Sequence, residues 1–264
     1  MPGFADRSRL ETVSPSAMII SSGATRRFGT LTAVSDVSFH LPAGGIIGLV
    51  GSDGAGKTTL LRMIAAMLPP SSGTITVAGL DVVADRAGVR GLIGYMPQRF
   101  GLYQDLSVAE NLHFFMDIYG ITGAEREKRR ERYLGFSNLL PFLDRRAGDL
   151  SGGMKQKLGL ACVLVHEPRV LILDEPTNGV DPVSRQEFWQ ILADMKQAGM
   201  TILVSTAYLD EGERCDRLLL MHKARILADA VPADVRGEFP SLEEAMIHRI
   251  RAVDAALTED SFGR

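Results

Sequence analysis

The sequence predicts an α/β fold: a parallel sheet joined by crossover helices, with a helical insert in its middle. Short, wholly apolar runs such as IIGLV (46–50) and VLILD (170–174) read as strands buried on both faces. Helical segments follow them, and strand–helix–strand repetition implies a parallel sheet. Between about 107 and 166 the strands give way to successive helical periods.

Taken in order, residues 17–98 read as short strands punctuated by turns. AVSDVSFHL alternates apolar and polar like a half-buried strand, and PAGG (42–45) is a turn. KTTLLRMIAAM (57–67) reads as a helix stopped by Pro69-Pro70. TITVAG and LIGYMPQ are further strands. In the insert, SVAENLHFFMDIYG, GAEREKRRERYLGFSNL and MKQKLGLACVLVHE are helical. The block EREKRRER is either a basic site or, as such blocks more often are, a solvated helix face with i,i+4 ion pairs. After residue 168, VLILD, PVSRQEFWQILADMKQAG and TILVST restore the alternation, and RLLLMH with ARILAD forms a hairpin. A helical segment at about 241–257 follows. The expected organisation is a disordered tail over 1–16, a main unit over 17–235 with its helical part at about 100–166, and a helical extension over 236–264.

The chain has 264 residues, 45% hydrophobic and 23% charged, enough for a substantial core. A net charge of −3 does not favour nucleic acid as a partner. Cys162 and Cys215 lie far apart and outside any metal-binding spacing, so both read as small buried hydrophobes in a reducing compartment. The opening MPGFADRSRLETVSPSAM has no long apolar core, hence no expected signal or anchor, and no run approaches the ~18 apolar residues that span a bilayer.

Chemistry is concentrated in two strand ends. GSDGAGKTT (51–59) fits G-x4-G-K-[ST] between a buried strand and a helix. Gly51, Gly54 and Gly56 let the backbone wrap close to phosphate, and Ser52, Asp53, Ala55 and Thr59 complete the loop. The helix N-terminus adds a favourable dipole. Lys57 can neutralise the β- and γ-phosphates, and the Thr58 hydroxyl can reach Mg²⁺. A chance glycine-rich turn would lack those flanks. In VLILDE (170–175), Asp174 can hold the Mg²⁺ shell and Glu175 can act as general base or orient water. Alone, such an acid pair could merely cap a turn; beside a phosphate loop it reads as the other half of the site.

LSGGMKQ (150–156) supplies Ser151, Gly152 and Gly153 at a helix start, a second anion grip. With it the sequence resembles the ATP-binding-cassette family of transporter ATPases, whose signature is LSGGQ. The resemblance spans about residues 18–235 and implies a P-loop NTPase fold of the ABC nucleotide-binding type, with an antiparallel β portion, a parallel core sheet and an α-helical subdomain. It implies ATP and Mg²⁺ as ligands and two cassettes closing head to tail, each phosphate loop facing the other's signature. Phe28 matches the aromatic that stacks on adenine, although a core phenylalanine is the plainer alternative. Gln98 in YMPQ matches the glutamine that links γ-phosphate and metal to the helical insert. NGVDP (178–182) places Asp181 in the loop by which cassettes communicate. Finer resemblance, in GYMPQRFGLYQDLSVAENL and EPTNGVDPVSR, is to ATPases of bacterial ABC-2-type multidrug exporters, in particular the N-terminal cassette of tandem subunits.

One departure stands out. Where the family has strand-Ser-Thr-His, this chain has LVSTAYLDEGE, with Ala207 after Thr206. His40, His113, His166, His222 and His248 all fall elsewhere, and Tyr208 is one place too far on. The resemblance thus implies an ATPase subunit bound to integral membrane permease subunits at the cytoplasmic face of the inner membrane, with an impaired site of its own. Tolerance of the loss, with Glu175 and water sufficing, is the alternative. A regulatory ATP-binding subunit with little hydrolysis is the second reading. A soluble cassette acting on ribosomes or DNA is disfavoured, since the chain has neither a second cassette nor a basic surplus.

Overall fold

The computed structural model describes residues 17–262; the expected tail over 1–16 lies outside the described residues. The chain begins with β1 (Ile19–Phe28) and β2 (Leu31–Leu41), joined by a two-residue turn in which Gly29 takes φ 57°. Then come β3 (Gly45–Val50), α1 (Lys57–Ile64), β4 (Ser72–Val77), β5 (Leu80–Asp81), α2 (Arg86–Leu92) and β6 (Ile93–Met96). The helical insert consists of α3 (Val108–Ile118), α4 (Gly123–Phe136) and α5 (Gly152–Leu164). Next are β7 (Val170–Asp174), α6 (Pro182–Gln197), β8 (Thr201–Thr206) and α7 (Leu209–Gly212). The hairpin β9 (Arg217–His222) and β10 (Arg225–Ala230) precedes α8 (Pro232–Arg236) and α9 (Leu242–Phe262).

Two sheets form. The smaller, in order β2-β1-β4-β5, is antiparallel. The larger, in order β10-β9-β3-β8-β7-β6, is parallel except for its β9–β10 edge. Alternation along β3 splits the core: Ile46 and Val50 face a cluster shared with the helical insert, while Ile47 and Leu49 face one shared with α1 and the small sheet. Both cysteines are buried and not disulfide-bonded, in the cluster shared with the helical insert. No helix among the described residues is long and apolar enough to cross a membrane.

Parallel register brings the strand ends together. Val50 pairs with Thr206, and Asp174 with Ser205. The segments after β3, β7 and β8 therefore leave the sheet side by side, at the carboxyl edge where open α/β sheets hold ligands.

The helix expected over 57–67 ends earlier, at Ile64. Ala66 adopts φ 52°, its N–H donates to Met63 O at 3.1 Å, and Met67 N–H donates to Arg62 O at 2.9 Å. This is a Schellman stop with alanine in the left-handed place that glycine usually takes. The Ala66 carbonyl accepts from the guanidinium groups of Arg86 and Arg90 on α2. The EREKRRER block is an ion-paired helix face: Arg129 bridges Glu125 and Glu167, Arg132 meets Glu167 and Arg130 meets Glu127.

Candidate functional site

The loop after β3 closes on its own lysine. Lys57 opens α1, its side chain only 4% exposed, and Nζ donates to Gly51 O at 2.8 Å and Ser52 O at 3.2 Å. Two glycines are required by the close approach of other backbone. A Cβ on Gly51 would lie 2.1 Å from Met221 O, and one on Gly56, at φ 108°, would lie 2.2 Å from Ala33 O.

Asp174, at the end of β7, is buried and fully partnered. Its Oδ1 accepts from Ser205 Oγ at 2.8 Å and from Thr58 Oγ1 at 3.0 Å, and Oδ2 accepts from Tyr95 OH at 3.4 Å. Burial, and then the Asp174 charge, push the Tyr95 phenol above its ordinary value, which keeps it a proton donor.

Glu175 departs from the strand with φ 50°, a strained value for a residue with a side chain. Its N–H donates to Ser205, to the backbone O at 3.1 Å and to Oγ at 3.0 Å. That geometry turns its carboxylate toward the phosphate loop, where Oε1 pairs with Lys57 Nζ at 3.2 Å. Oε2 accepts from Gln98 Nε2 at 2.9 Å and Asn178 Nδ2 at 3.3 Å.

Lys57, Thr58, Gln98, Glu175 and Asn178 line a cleft of about 690 Å³, with Asp174 behind Thr58. Asp53, Gly54, Gly56, Lys57, Thr58 and Thr59 form its floor, with Gln98, Glu175 and Asn178 on one side. On the other side stand Leu31 to Ala33 and the β9–β10 turn, Lys223 and Ala224. Lys223 Nζ pairs with Asp254 on α9 at 2.7 Å, and the same carboxylate lies 3.0 Å from His222 Nε2. A recess of about 220 Å³ adjoins, bounded by Glu175, Thr177, Thr206, Ala207 and Tyr208. Ala207 is therefore a wall of the space beside Glu175, with no polar side-chain atom to offer.

Other expected residues lie outside the lining of that cleft. Phe28 is no core residue: it is 44% exposed at the β1–β2 turn, directly opposite Leu31, with the Arg26 guanidinium 4.7 Å from its ring centre. Ser151, Gly152 and Gly153 start α5, where Ser151 Oγ accepts from Met154 N–H at 3.3 Å. Asp181 caps α6, accepting from Val183 N–H at 3.1 Å and Ser184 N–H at 2.9 Å. The Ser184 bond, chiefly, holds the exposed Asp181 carboxyl below its ordinary range. The two helix starts touch: a Cβ on Gly153 would lie 2.4 Å from Ser184 Cβ. Asn178, Ser205, Tyr95 and Lys223 are the participants that sequence reasoning passed over. Asn178 lies in NGVDP, Tyr95 in YMPQ and Ser205 in LVSTAYLDEGE, whereas Lys223 had no local signal.

The donor set suits a magnesium nucleotide. Thr58 Oγ1 and the Asp174 carboxylate are hard oxygen donors 3.0 Å apart. No cluster of three His, Cys, Asp or Glu among the described residues could hold an ion unaided. Mg²⁺, which binds through one or two carboxylates plus substrate phosphates, fits such a sparse set. Gln98 is the third candidate, its amide turned to Glu175.

Comparison with known proteins agrees with this geometry. A model of the ABC transporter family matches residues 34–178. "Probable multidrug ABC transporter ATP-binding protein YbhF" of Escherichia coli is 50% identical over 218 residues, covering 82% of this chain. The match spans only 38% of that relative's length. "Nod factor export ATP-binding protein I" of Burkholderia lata is 39% identical over 219 residues, covering 83% of this chain and 72% of the relative. Among solved structures, one described as the ATP binding subunit of an ABC transporter superposes with TM-score 0.78 at 29% identity, over 88% of this chain and 99% of the other. By family model, by relatives and by the shape of its phosphate loop, this chain belongs to the ABC transporter family.

Proposed function

We propose that the chain is the energy-coupling cassette of a membrane exporter, binding ATP with Mg²⁺ and hydrolysing it slowly at its own site. The observation that carries this reading is the convergence of Lys57, Thr58, Gln98 and Glu175 on one cleft, with Asp174 bonded behind Thr58 and Ala207 in the wall of the adjoining recess. The loop amides and Lys57 hold the phosphates, and Phe28 offers a ring for the base. Thr58, Asp174 and Gln98 would hold Mg²⁺, which neutralises charge developing on the transferred phosphoryl group. Glu175 orients or deprotonates the attacking water. Ala207 leaves that water without the hydrogen-bonding neighbour that the family's histidine provides.

Ser151 to Gly153 and Asp181 would act on a second cassette, a copy of this chain or a relative, closing head to tail. The exposure of Ser151, Gly152 and Asp181 at helix starts, apart from the chain's own cleft, supports that assignment. The cassette itself is taken as 17–235, with the extension after it tied to the cleft through Lys223 and Asp254; its helical part receives integral membrane permease subunits at the cytoplasmic face of the inner membrane. The names of the relatives, a multidrug transporter and a Nod factor exporter, support export. Their substrates do not transfer.

The experiment is Mg²⁺-dependent ATP turnover of the purified chain, with Ala207→His and Glu175→Gln alongside. Slow native turnover that Ala207→His accelerates supports the impaired site. Brisk native turnover stopped by Glu175→Gln refutes it. ATP binding with no turnover in any form favours the regulatory reading, for which the absent histidine is the specific observation.

A further inference from the structure

Glu211 looks in sequence like one solvated acid of LDEGE, yet it is wholly buried. Its carboxylate is shared between two hydroxyls. Thr177 Oγ1 donates to Oε1 at 2.6 Å, and Thr206 Oγ1 donates to Oε2 at 2.6 Å. Arg185 of α6 adds a cation 3.8 Å from Oε1. The Thr206 hydroxyl also accepts from Tyr208 N–H at 3.0 Å, so it fixes the turn that carries Ala207. Thr177 sits two residues after Glu175, and Thr206 immediately before Ala207. Both threonines bound the recess beside Glu175.

We infer that Glu211 is a positioning residue for hydrolysis: it fastens the segment carrying Glu175 to the segment carrying Ala207 and so sets the width of the space for the attacking water. This rests on the ATPase reading above. A carboxylate suits the task because its two oxygens accept from two donors in one rigid plane. Burial of its charge is tolerable only with both oxygens satisfied, so the pair of bonds and the spacing stand or fall together. Without the histidine of the family, the recess has no side chain spanning it at 207, and the clamp beneath adds a side-chain link to the Glu175 N–H bonds that already join its walls at Ser205. A displacement of about 1 Å in a reacting geometry costs on the order of 100-fold in rate, so slack between the walls is felt in turnover.

The test uses the full chain, with single-turnover hydrolysis of MgATP and affinity for a fluorescent ATP analogue measured together. Thr206→Val and Thr177→Val keep the shape; Thr177→Val removes one bond, to Glu211, and Thr206→Val removes two, to Glu211 and from Tyr208 N–H; Glu211→Gln keeps an acceptor and a donor; Glu211→Ala removes the clamp. Each is made in the native chain and in the Ala207→His chain, so that a low basal rate does not mask the effect. Expected are rates down about 10-fold for either valine and about 100-fold for Glu211→Ala, each with affinity within about twofold of the parent. Glu211→Gln recovers most of the rate, and Glu211→Ala with Thr177→Val, whose hydroxyl bonds to Glu211, is no slower than Glu211→Ala alone. Parental rates in Thr206→Val and Thr177→Val overturn the inference, as does a parallel fall of rate and affinity in every variant. A parent chain that binds the analogue but hydrolyses in neither background overturns the hydrolysis reading, and the inference with it. Brisk native turnover removes only the impaired-site reading and leaves the ratios among variants to decide on Glu211.

Discussion

Lys57 and Glu175 form an ion pair across the mouth of the phosphate loop, Nζ to Oε1 at 3.2 Å, with side chains 4% and 12% exposed. Removing either partner therefore changes more than one group. Glu175→Gln is expected to lower ATP turnover by at least about 100-fold, the usual contribution of a general base, while analogue affinity stays within a few-fold. Lys57→Ala leaves the phosphates and Glu175 without their cation, and affinity should fall by about 30-fold or more. Equilibrium titration beside the turnover assay separates the two.

Ala207→His restores a donor to the recess shared with Glu175. A hydrogen bond to a charged group is worth roughly 1.5–3 kcal/mol, so a bond made chiefly in the transition state should accelerate hydrolysis roughly 10- to 150-fold. Unchanged turnover with unchanged affinity would mean that the native site does without a residue in that role.

Gly153→Ala would drive a methyl into Ser184, 2.4 Å away, and separate α5 from α6. Overpacking of this kind costs about 1–3 kcal/mol, readable in urea unfolding. Ser184→Gly in the same chain removes the obstructing carbon and should recover much of the loss. If it recovers none, the glycine serves the backbone rather than the contact.

Burial pushes His166 below its ordinary value, assisted by Arg129 although the Ile93 carbonyl opposes it, and burial with Arg126 and Arg130 does the same for His113. Each is a base more easily protonated in the unfolded chain than in the folded one. Below the ordinary value of 6.5 the unfolded state binds more protons. Stability should thus be level above pH ~6.5 and fall as pH drops through that value toward the lower folded ones. His166→Gln, whose amide can still donate to Ile93 O, should flatten part of the slope in thermal unfolding at pH 5 to 7.

Much of this was legible in the sequence because it was written locally. The phosphate loop announces itself through glycines that the backbone of Ala33 and Met221 demands, and VLILD through an apolar run that burial on both faces demands. What escaped depends on distant partners. β5 has two residues and α7 four, too short for any period to show. The end of α1 is set by Ala66, whose unusual backbone is accommodated with arginines from α2 on its carbonyl, and not by the two prolines that follow. Ser205 and Tyr95 hold Asp174 only because β8 and β6 flank β7, and Glu211 is hidden by neighbours that make it look like surface.

The pair between Lys223 and Asp254 ties the last helix to one wall of the nucleotide cleft. Trimming the chain before residue 254 would release that lysine, although the cut would fall far beyond the last phosphate-loop residue. The smallest fragment that reproduces native nucleotide affinity should therefore be longer than the motifs alone suggest. A protein fused downstream of α9 would bear on the same contact, so a reporter placed there is expected to sense ligand through Asp254 and Lys223.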